Sequence, residues 1–297
     1  MSLTPLSDAQ GISLIIPVKG RLDLLAKLLD SVDVAAKAAP RERCEILIVW
    51  DGQPTPLELS HTFAGQSGLA VRCLFCEGNQ AKKRNEGSLA ARFDTLLFVD
   101  SDCTIHPDLL LSLMEQFHQP AVMAAAPPVL FEPAQGMLAE ANAVMPYRQA
   151  YGWGAIPQPQ WWLPTATLAI RRQALEKVGN FWAPACGPIR GEDVDWGLRL
   201  TAFLGRPAVK TLPACPSHHA LETWNSLAKT LNRAWWFGWS EGDLRPRHPT
   251  FQRWSLPPFL GGGLIISLLA AILAVLRLPI SVSLATLGGL LLVIWCL

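Results

Sequence analysis

The sequence lacks the two glycine-rich motifs that most often mark nucleotide binding in α/β proteins. No Gly-x-x-x-x-Gly-Lys occurs, and no Gly-x-Gly-x-x-Gly follows the first predicted strand, which argues against a P-loop and a dinucleotide fingerprint. Charge is scarce as well. Charged residues make up 16% of the chain and the formal net charge is +1, so we expect no nucleic acid or other bulk polyanion as a partner.

The cysteines do not suggest a disulfide framework. There are seven of them, an odd number with irregular spacing, and residues 1–10 are polar and mixed rather than an apolar signal segment. We therefore expect reduced thiols in a cytosolic compartment. Cys73 and Cys76 have the spacing of half a zinc site, but the second half is missing and the pair lies in a strand-like run, which favours packing.

Strands and helices alternate through the first part of the chain. Unbroken apolar runs predict buried strands, and apolar residues at helical spacing predict the helices between them. The predicted strands are 13–18, 45–50, 71–75, 96–99 and 122–126, and the helices are 22–39, 81–91 and 107–118. This order predicts an α/β fold with a mostly parallel sheet flanked by helices, of the kind that places ligands at one edge.

The second part of the chain is predicted to be less regular. A stretch rich in Pro, Gly and aromatics, 127–164, reads as loops around one short helix near 135–147. The predicted elements after it are a strand at 165–170, a helix ended by Gly179, a helix at 191–205, a strand-like run at 209–212 and a Trp-rich helix at 222–240.

From Leu256 the composition changes. Two apolar runs, 257–276 and 278–297, are separated by Arg277, which is the only charge after Leu256, and each is long enough to cross a bilayer. We expect a catalytic domain at 1–250 followed by a transmembrane helical hairpin; the alternative is that one run is a buried core helix. Basic residues before the first run predict a two-span membrane protein with its catalytic domain on the cytoplasmic side.

Two carboxylates follow the predicted strand at 96–99. Asp100 and Asp102 would lie at its carboxyl end, where ligands bind in open α/β sheets. Paired hard oxygen ligands in that place suit a divalent cation that holds phosphate oxygens. The alternative is that Asp100 ends the strand while Ser101 and Asp102 form a turn.

Five short motifs fall at the ends of these elements in a fixed order. They are Ser-Leu-Ile-Ile-Pro-Val (13–18), Ile-Val-Trp-Asp-Gly (48–52), Lys-Arg-Asn-Glu-Gly (83–87), Phe-Val-Asp-Ser-Asp (98–102) and Gly-Glu-Asp-Val-Asp (191–195). In this order the motifs resemble those of family 2 glycosyltransferases with a GT-A fold, over residues 12 to about 220. The stretch from Glu192 to Pro249 looks most like the mycofactocin-type branch of that family.

The resemblance implies an inverting enzyme that moves a sugar from a nucleotide-diphosphate donor to an acceptor hydroxyl. The donor nucleotide contacts that it implies are Pro17, Asp51, Arg84, Asn85 and Asp100. Two of these sites have plain alternatives: Asp51 as the turn residue of Asp-Gly, and Arg84 with Asn85 as part of a solvated helix face. Where the family usually has a second acid before Asp51, this chain has Trp50.

For the metal, the resemblance implies Mg²⁺ or Mn²⁺ held directly by Asp102. The cation would bridge the two phosphates and stabilise the charge that develops on the leaving nucleotide. His218 or His219 could supply a further ligand from the C-terminal side, although a structural histidine is an equally good interpretation.

For the chemistry of transfer, the resemblance implies Asp193 as the general base that deprotonates the acceptor hydroxyl. Glu192 and Trp196 are the implied acceptor or sugar contacts. The alternative for the acidic cluster is a first helical turn in which carboxylates are favoured by the helix dipole. Asp195 and Arg199 are also spaced for an i,i+4 ion pair.

The leading hypothesis is thus a membrane-anchored, metal-assisted glycosyltransferase. Its expected partners are a nucleotide-diphosphate sugar, the membrane, and a lipid, lipid-linked, small-molecule or peptide acceptor. Trp50 motivates an alternative, a catalytically degenerate scaffold subunit that binds the nucleotide sugar without turnover. A nucleotidyltransferase ranks last, because such enzymes normally carry a glycine-rich basic loop after the first strand, where this chain has only Lys19, Gly20 and Arg21.

Overall fold

The computed structural model describes residues 11–131, 150–156, 160–183, 191–220 and 226–249. The chain divides into two compact units, Met1–Arg247 and His248–Leu297, and the described residues belong almost entirely to the first. The predicted helix near 135–147 and the two apolar runs at 257–276 and 278–297 lie outside the described residues.

The strands form where the sequence has unbroken apolar or β-branched runs. The described strands are β1 (Ile12–Lys19), β2 (Cys44–Asp51), β3 (Ala70–Phe75), β4 (Thr95–Val99), β5 (Cys103–Thr104), β6 (Ala124–Ala126), β7 (Val129–Phe131), β8 (Thr167–Arg171), β9 (Val209–Thr211) and β10 (Ser217–His219). Seven of them make the main sheet, in the order β3-β2-β1-β4-β8-β6-β9. Neighbours in this sheet run parallel except where β8 pairs with β4 and β6. The predicted mostly parallel sheet is therefore confirmed.

Helices connect these strands and cover the sheet. The described α-helices are α1 (Leu22–Ala38), α2 (Leu57–Ser67), α3 (Gln80–Ala90), α4 (Leu109–Phe117), α5 (Arg172–Val178), α6 (Glu192–Leu204) and α7 (Leu227–Arg247). The main sheet has a hydrophobic cluster on each face. One cluster joins the sheet to α1 and α4, and the other joins it to α3, α5 and α6, as a sheet buried on both faces requires.

A second, three-stranded sheet lies beside the main one, in the order β5-β10-β7. Strand β10 runs antiparallel to β5, with His219 opposite Cys103, and parallel to β7, with His219 opposite Phe131. The sequence did not predict this sheet as such. It matters for the site because it brings the histidine pair next to the residues that follow β4.

The prediction of a two-span membrane protein is wrong for the described ranges, and the fold class is corrected to the α/β unit that those ranges form. Among the helices of the described ranges, none is both long and apolar enough to cross a bilayer. The longest of them, α7, has 21 residues, but Lys229, Arg233, Glu241 and Asp243 interrupt its apolar positions, and such charges are costly at the depth of a membrane.

Candidate active site

The candidate site lies at the carboxyl edge of the main sheet. Strands β1, β2 and β4 are parallel neighbours, so their carboxyl ends meet at this edge. Lys19 and Asp51 are paired opposite one another at the last position of β1 and β2. Asp100 follows the last residue of β4 directly. The predicted polar residues are therefore brought together by strand topology, as expected for an open α/β sheet.

Asp51 is buried and engaged at both carboxylate oxygens. Its Oδ1 lies 2.6 Å from Nζ of Lys83, and its Oδ2 accepts a hydrogen bond of 3.2 Å from the backbone N–H of Gly78. Lys83 also donates to the carbonyl of Val18 at 2.8 Å. Burial raises the pKa of Asp51, but the Lys83 and Gly78 hydrogen bonds, with the charges of Lys83 and Lys19, outweigh it and hold that pKa below its ordinary value. Asp51 is therefore ionised and fixed in orientation.

Arg84 bridges two carboxylates that are far apart in the sequence. Its Nη2 lies 2.7 Å from Oδ1 of Asp100, and its Nη1 lies 2.6 Å from Oε1 of Glu192. The Arg84 side chain is only 2% exposed. Burial lowers the pKa of Arg84. The charges and hydrogen bonds of Asp100 and Glu192 outweigh this effect, and the net result is a pKa above the ordinary value. Arg84 therefore stays charged and links the end of β4 to the first residue of α6.

The other predicted donor contacts are less exposed to a ligand than the sequence suggested. Asn85 donates to the Phe181 carbonyl at 2.8 Å and accepts from the Phe181 N–H at 3.0 Å, so its amide ties α3 to the chain before α6. Pro17 is buried within β1, opposite Val49 of β2. These contacts position the edge of the sheet.

Asp102, in the turn between β4 and β5, lies opposite His219 at the end of β10. Nε2 of His219 lies 3.5 Å from Oδ1 of Asp102, and its Nδ1 lies 2.8 Å from the Ala220 carbonyl. A carbonyl only accepts, so Nδ1 carries the hydrogen, and in the neutral ring Nε2 turns its lone pair towards the carboxylate. Two acceptors so close are stabilised by a proton or a cation between them. His218 is exposed on the other face of β10.

Aromatic rings hold His219 in this orientation. The imidazole stacks on Phe131 with ring centroids 4.9 Å apart, and Tyr151 meets it edge-on at 6.3 Å. His219 itself is only 5% exposed. A histidine fixed by its neighbours presents Nε2 in one direction, as metal-binding imidazoles do when surrounding groups orient the ring.

Cys103 is a third group near this pair that sequence reasoning did not select. One ligand atom each from Asp102, Cys103 and His219 lie within 4.8 Å of one another. Burial raises the pKa of the Cys103 thiol well above its ordinary value, and the charges of Asp102 and Asp100 raise it further. Because a thiol must lose its proton to bind metal well, the carboxylate and the imidazole are the better ligands.

The acidic cluster opens α6. Gly191 precedes the helix with φ 86°, where a Cβ would also lie 2.9 Å from Leu244. Asp193 is half-buried, and its Oδ1 accepts the Val194 N–H at 2.8 Å. Asp195 is paired instead with Arg199, at 2.9 Å. Asp193 and Asp195 therefore have different environments within one helical turn.

The two tryptophans near α6 differ in exposure. Trp196 is 1% exposed, packs on Phe181 and donates its indole N–H to the Gly179 carbonyl at 3.1 Å. A ring so deeply buried has no face for a sugar to stack on. Trp182 is half-buried, and the guanidinium of Arg247 lies 3.8 Å from its ring centroid, which is a cation–π contact.

A doubly covered, mostly parallel sheet with acidic residues at its carboxyl edge defines an α/β protein whose ligand is expected at that edge. Residues 13–179 match the sequence model of the family described as Glycosyl transferase family 2. That match covers more than half of the chain, and the chain belongs to this family. The family resemblance predicted from the motifs is therefore confirmed.

Two curated relatives are similar to this chain over most of its length, at low sequence identity. The Pre-mycofactocin glycosyltransferases of Mycobacterium tuberculosis strains CDC 1551 / Oshkosh and ATCC 25618 / H37Rv are each 23% identical over 265 residues, which is 86% of this chain and 51% of theirs. The chain thus spans about half the length of the curated relatives it matches.

Two solved structures show the same fold. Mannosyltransferase PcManGT from Pyrobaculum calidifontis, in complex with GDP-Man and Mn²⁺, has a TM-score of 0.61 and 17% identity, covering 80% of this chain and 66% of its own. S. aureus TarS in complex with UDP-GlcNAc has a TM-score of 0.52 and 16% identity, covering 71% and 58%.

Proposed function

We propose that the protein transfers a sugar from a nucleotide-diphosphate donor to an acceptor hydroxyl with inversion, assisted by a divalent cation, with Asp193 as the general base. The observation that carries this proposal is the contact of Arg84 with both Asp100 and Glu192. That contact joins the donor-side carboxylates at the end of β4 to the helix start that bears Asp193. Through this contact the expected base would be held at a fixed distance from the expected donor and cation ligands.

The donor set of Asp102 and His219 fits a divalent cation. Carboxylate oxygen suits Mg²⁺ and Mn²⁺, while imidazole nitrogen is preferred by transition metals, so the pair favours Mn²⁺ over Mg²⁺. The Mn²⁺ present with GDP-Man in the related mannosyltransferase structure supports this choice. A cation held there would stabilise the negative charge that develops on the leaving diphosphate.

Lys83 and Arg84 of α3 are not available to neutralise the diphosphate. Lys83 is paired with Asp51, and Arg84 is paired with Asp100 and Glu192, so both positive charges already balance carboxylates of the protein. Asp51 retains acceptor capacity for an N–H of the donor base, because each carboxylate oxygen has two lone pairs. A bound cation is therefore the better counter-charge for the two phosphates.

Asp193 is more exposed than Glu192 and Asp195, the two acids beside it, and is therefore the one that an acceptor can reach. A general base must reach the proton that it removes. Glu192 is held by Arg84 and Asp195 by Arg199, which commits both carboxylates to ion pairs inside the protein. Asp193 is half-buried between them in sequence. Inversion follows if this carboxylate activates the acceptor oxygen for a single displacement at the anomeric carbon.

The test uses the full chain with Mn²⁺ and a panel of UDP- and GDP-sugars that includes UDP-GlcNAc and GDP-Man. Release of UDP or GDP, with water or an added alcohol as acceptor, reports turnover. We expect Asp193→Asn to lower kcat about 10²–10⁴-fold while nucleotide binding persists, and Asp102→Ala to abolish the stimulation by Mn²⁺. Nucleotide binding without turnover of any donor by the wild-type protein would instead support a scaffold subunit.

A further inference from the structure

Arg84 has a geometry that its expected role as a nucleotide contact does not explain. Its two terminal nitrogens are both used by carboxylates of the protein, at 2.7 Å and 2.6 Å. Its side chain is 2% exposed. Its Nε is buried, with no hydrogen-bond partner among the residues that the structure describes. A guanidinium so enclosed contacts a bound nucleotide only after giving up one of its two ion pairs.

The two carboxylates belong to elements that are far apart in the sequence. Asp100 follows β4 and is 16 residues from Arg84, whereas Glu192 is the first residue of α6 and is 108 residues away. Asp193 comes next to Glu192 in the same helical turn. Any movement of the Glu192 side chain and backbone therefore moves the candidate base relative to the donor-side edge.

The start of α6 depends on such a contact. Gly191, with φ 86°, enters the helix without a side-chain cap, so no capping hydrogen bond from that residue fixes the first turn. Glu192 is 7% exposed. Its buried negative charge is costly unless it is paired, so the Arg84 contact stabilises the position of this turn.

We propose that Arg84 is a positioning residue. It holds the first turn of α6 in place, and thereby keeps Asp193 at a fixed distance from the donor-side carboxylate Asp100. This inference rests on the proposed role of Asp193 as the base. It predicts that Arg84 affects the rate of transfer through Asp193 and contributes little to donor affinity. This positioning role requires an arginine. A planar guanidinium can bridge two carboxylates, whereas a lysine ammonium is a single point charge.

Arg72 provides a matched control. It too is an arginine whose Nε is buried without a partner in the described part of the chain, and it pairs with a buried carboxylate, Glu45, at 2.9 Å. It binds the Ala90 carbonyl as well, at 2.6 Å. The pair lies at the other end of β2, away from α6. The Arg72 side chain is 38% exposed, so its substitution reports the cost of opening a partly buried ion pair away from α6.

The experiment compares Arg84→Lys and Arg84→Met with Arg72→Lys and Arg72→Met, using UDP-GlcNAc and GDP-Man as probes with Mn²⁺. We expect Arg84→Lys to lower kcat about tenfold and Arg84→Met about 10²-fold, as for a misplaced catalytic group, with the donor KM changed less than about threefold. In the Asp193→Asn background, Arg84→Met should lower kcat little further, because the two residues act as a unit. The Arg72 variants should keep a near wild-type kcat.

Amide hydrogen exchange supplies a readout that needs no turnover. In Arg84→Lys we expect the amides of residues 192–196 to exchange at least about tenfold faster, with no such change in Arg72→Lys. Unchanged exchange in this turn overturns the inference, even if the protein is an active transferase. A rise in donor KM at constant kcat overturns it as well and assigns Arg84 to donor binding. A wild-type protein that turns over no donor refutes the proposed function instead, and exchange still decides whether Arg84 positions α6.

Discussion

Lys83 and Asp51 form a buried ion pair, with Nζ 2.6 Å from Oδ1, at the point where β1 and β2 end. Lys83 also reaches the Val18 carbonyl at 2.8 Å, so one ammonium group fixes both strand ends. The adjacent residue on α3, Arg84, does the same for Asp100 and Glu192. Helix α3 therefore acts as an internal set of counter-charges for the acidic edge of the sheet.

Removal of the Lys83 charge should destabilise the protein in a pH-dependent way. We expect Lys83→Met to lower the free energy of unfolding by about 3–5 kcal/mol at pH 7, because it leaves a buried carboxylate without its cation. In the wild type the pKa of Asp51 is lowered on folding, so its stabilisation is present above the unfolded pKa of about 4 and is lost as the pH falls through the folded pKa. In the variant, burial raises that pKa, and the deficit should shrink as the solution is acidified.

Urea unfolding at pH 7 and pH 4 measures this effect. Lys82→Met is the matched control, because Lys82 is exposed on the same helical turn and its ammonium donates to the Glu77 carbonyl rather than to a carboxylate. Its change should stay within about 0.5 kcal/mol. Equal losses in the two variants, or a Lys83→Met deficit that does not vary with pH, would contradict the role assigned to the pair.

A glycine controls how closely α3 approaches the sheet. A Cβ at Gly87 would lie 2.4 Å from Cγ2 of Ile15 and 3.2 Å from Cγ2 of Val49. We therefore expect Gly87→Ala to cost about 1–3 kcal/mol through overpacking. Gly65 in α2 is exposed, and its Cβ would meet nothing within 4 Å, so Gly65→Ala should stabilise by about 0.5–1 kcal/mol. Thermal unfolding of both variants checks the opposite signs; two changes of the same sign would refute the close approach.

The sequence predicts the centre of the main sheet well, because β1, β2 and β4 contain unbroken apolar runs. Strand β4 and the two aspartates that follow it are the best case. The second sheet escaped prediction, because strands of two or three residues, such as Cys103–Thr104 and Ser217–His219, carry no periodicity of their own. Only their pairing across the fold selects them, and a local pattern cannot show that pairing.

The roles of individual site residues depend even more on distant partners. A basic run on a helix indicates a solvated or ligand-facing surface, yet Lys83 and Arg84 are both 2% exposed. Their partners lie 32 and 65 residues away for Lys83, and 16 and 108 residues away for Arg84. Trp196 is similar: its residue type suits a sugar platform, but its helix turns it into the core. Burial at these positions is decided by tertiary contacts.

The histidine pair allows a direct test of the cation site. We expect His219→Gln to weaken Mn²⁺ binding at least about tenfold, because Nε2 of His219 faces Asp102 at 3.5 Å. His218→Gln should leave the Mn²⁺ affinity unchanged, because His218 is exposed on the opposite face of β10. Electron paramagnetic resonance of free Mn²⁺ in titrations of the full chain measures both. Equal affinities for the two variants would remove His219 from the site.

Asp193 and Asp195 allow the base to be separated from a structural acid in the same helical turn. Asp195 has a side chain that is 3% exposed and an ion pair with Arg199 at 2.9 Å, and Arg199 in turn donates to the Asn180 carbonyl at 2.8 Å. We expect Asp195→Asn to lower the free energy of unfolding by about 1–3 kcal/mol, as for a weakened buried charge-assisted contact. Its kcat should remain near that of the wild type.

The comparison is made at one temperature at which both variants are folded, with kcat for nucleotide release and Tm measured on the same samples. Asp193→Asn should show the reverse result, a loss of kcat of about 10²-fold or more with a Tm near the wild-type value, because Asp193 is half-buried and an asparagine oxygen can still accept the adjacent Val194 N–H. If Asp195→Asn loses as much kcat as Asp193→Asn at an unchanged Tm, the base has been assigned to the wrong carboxylate.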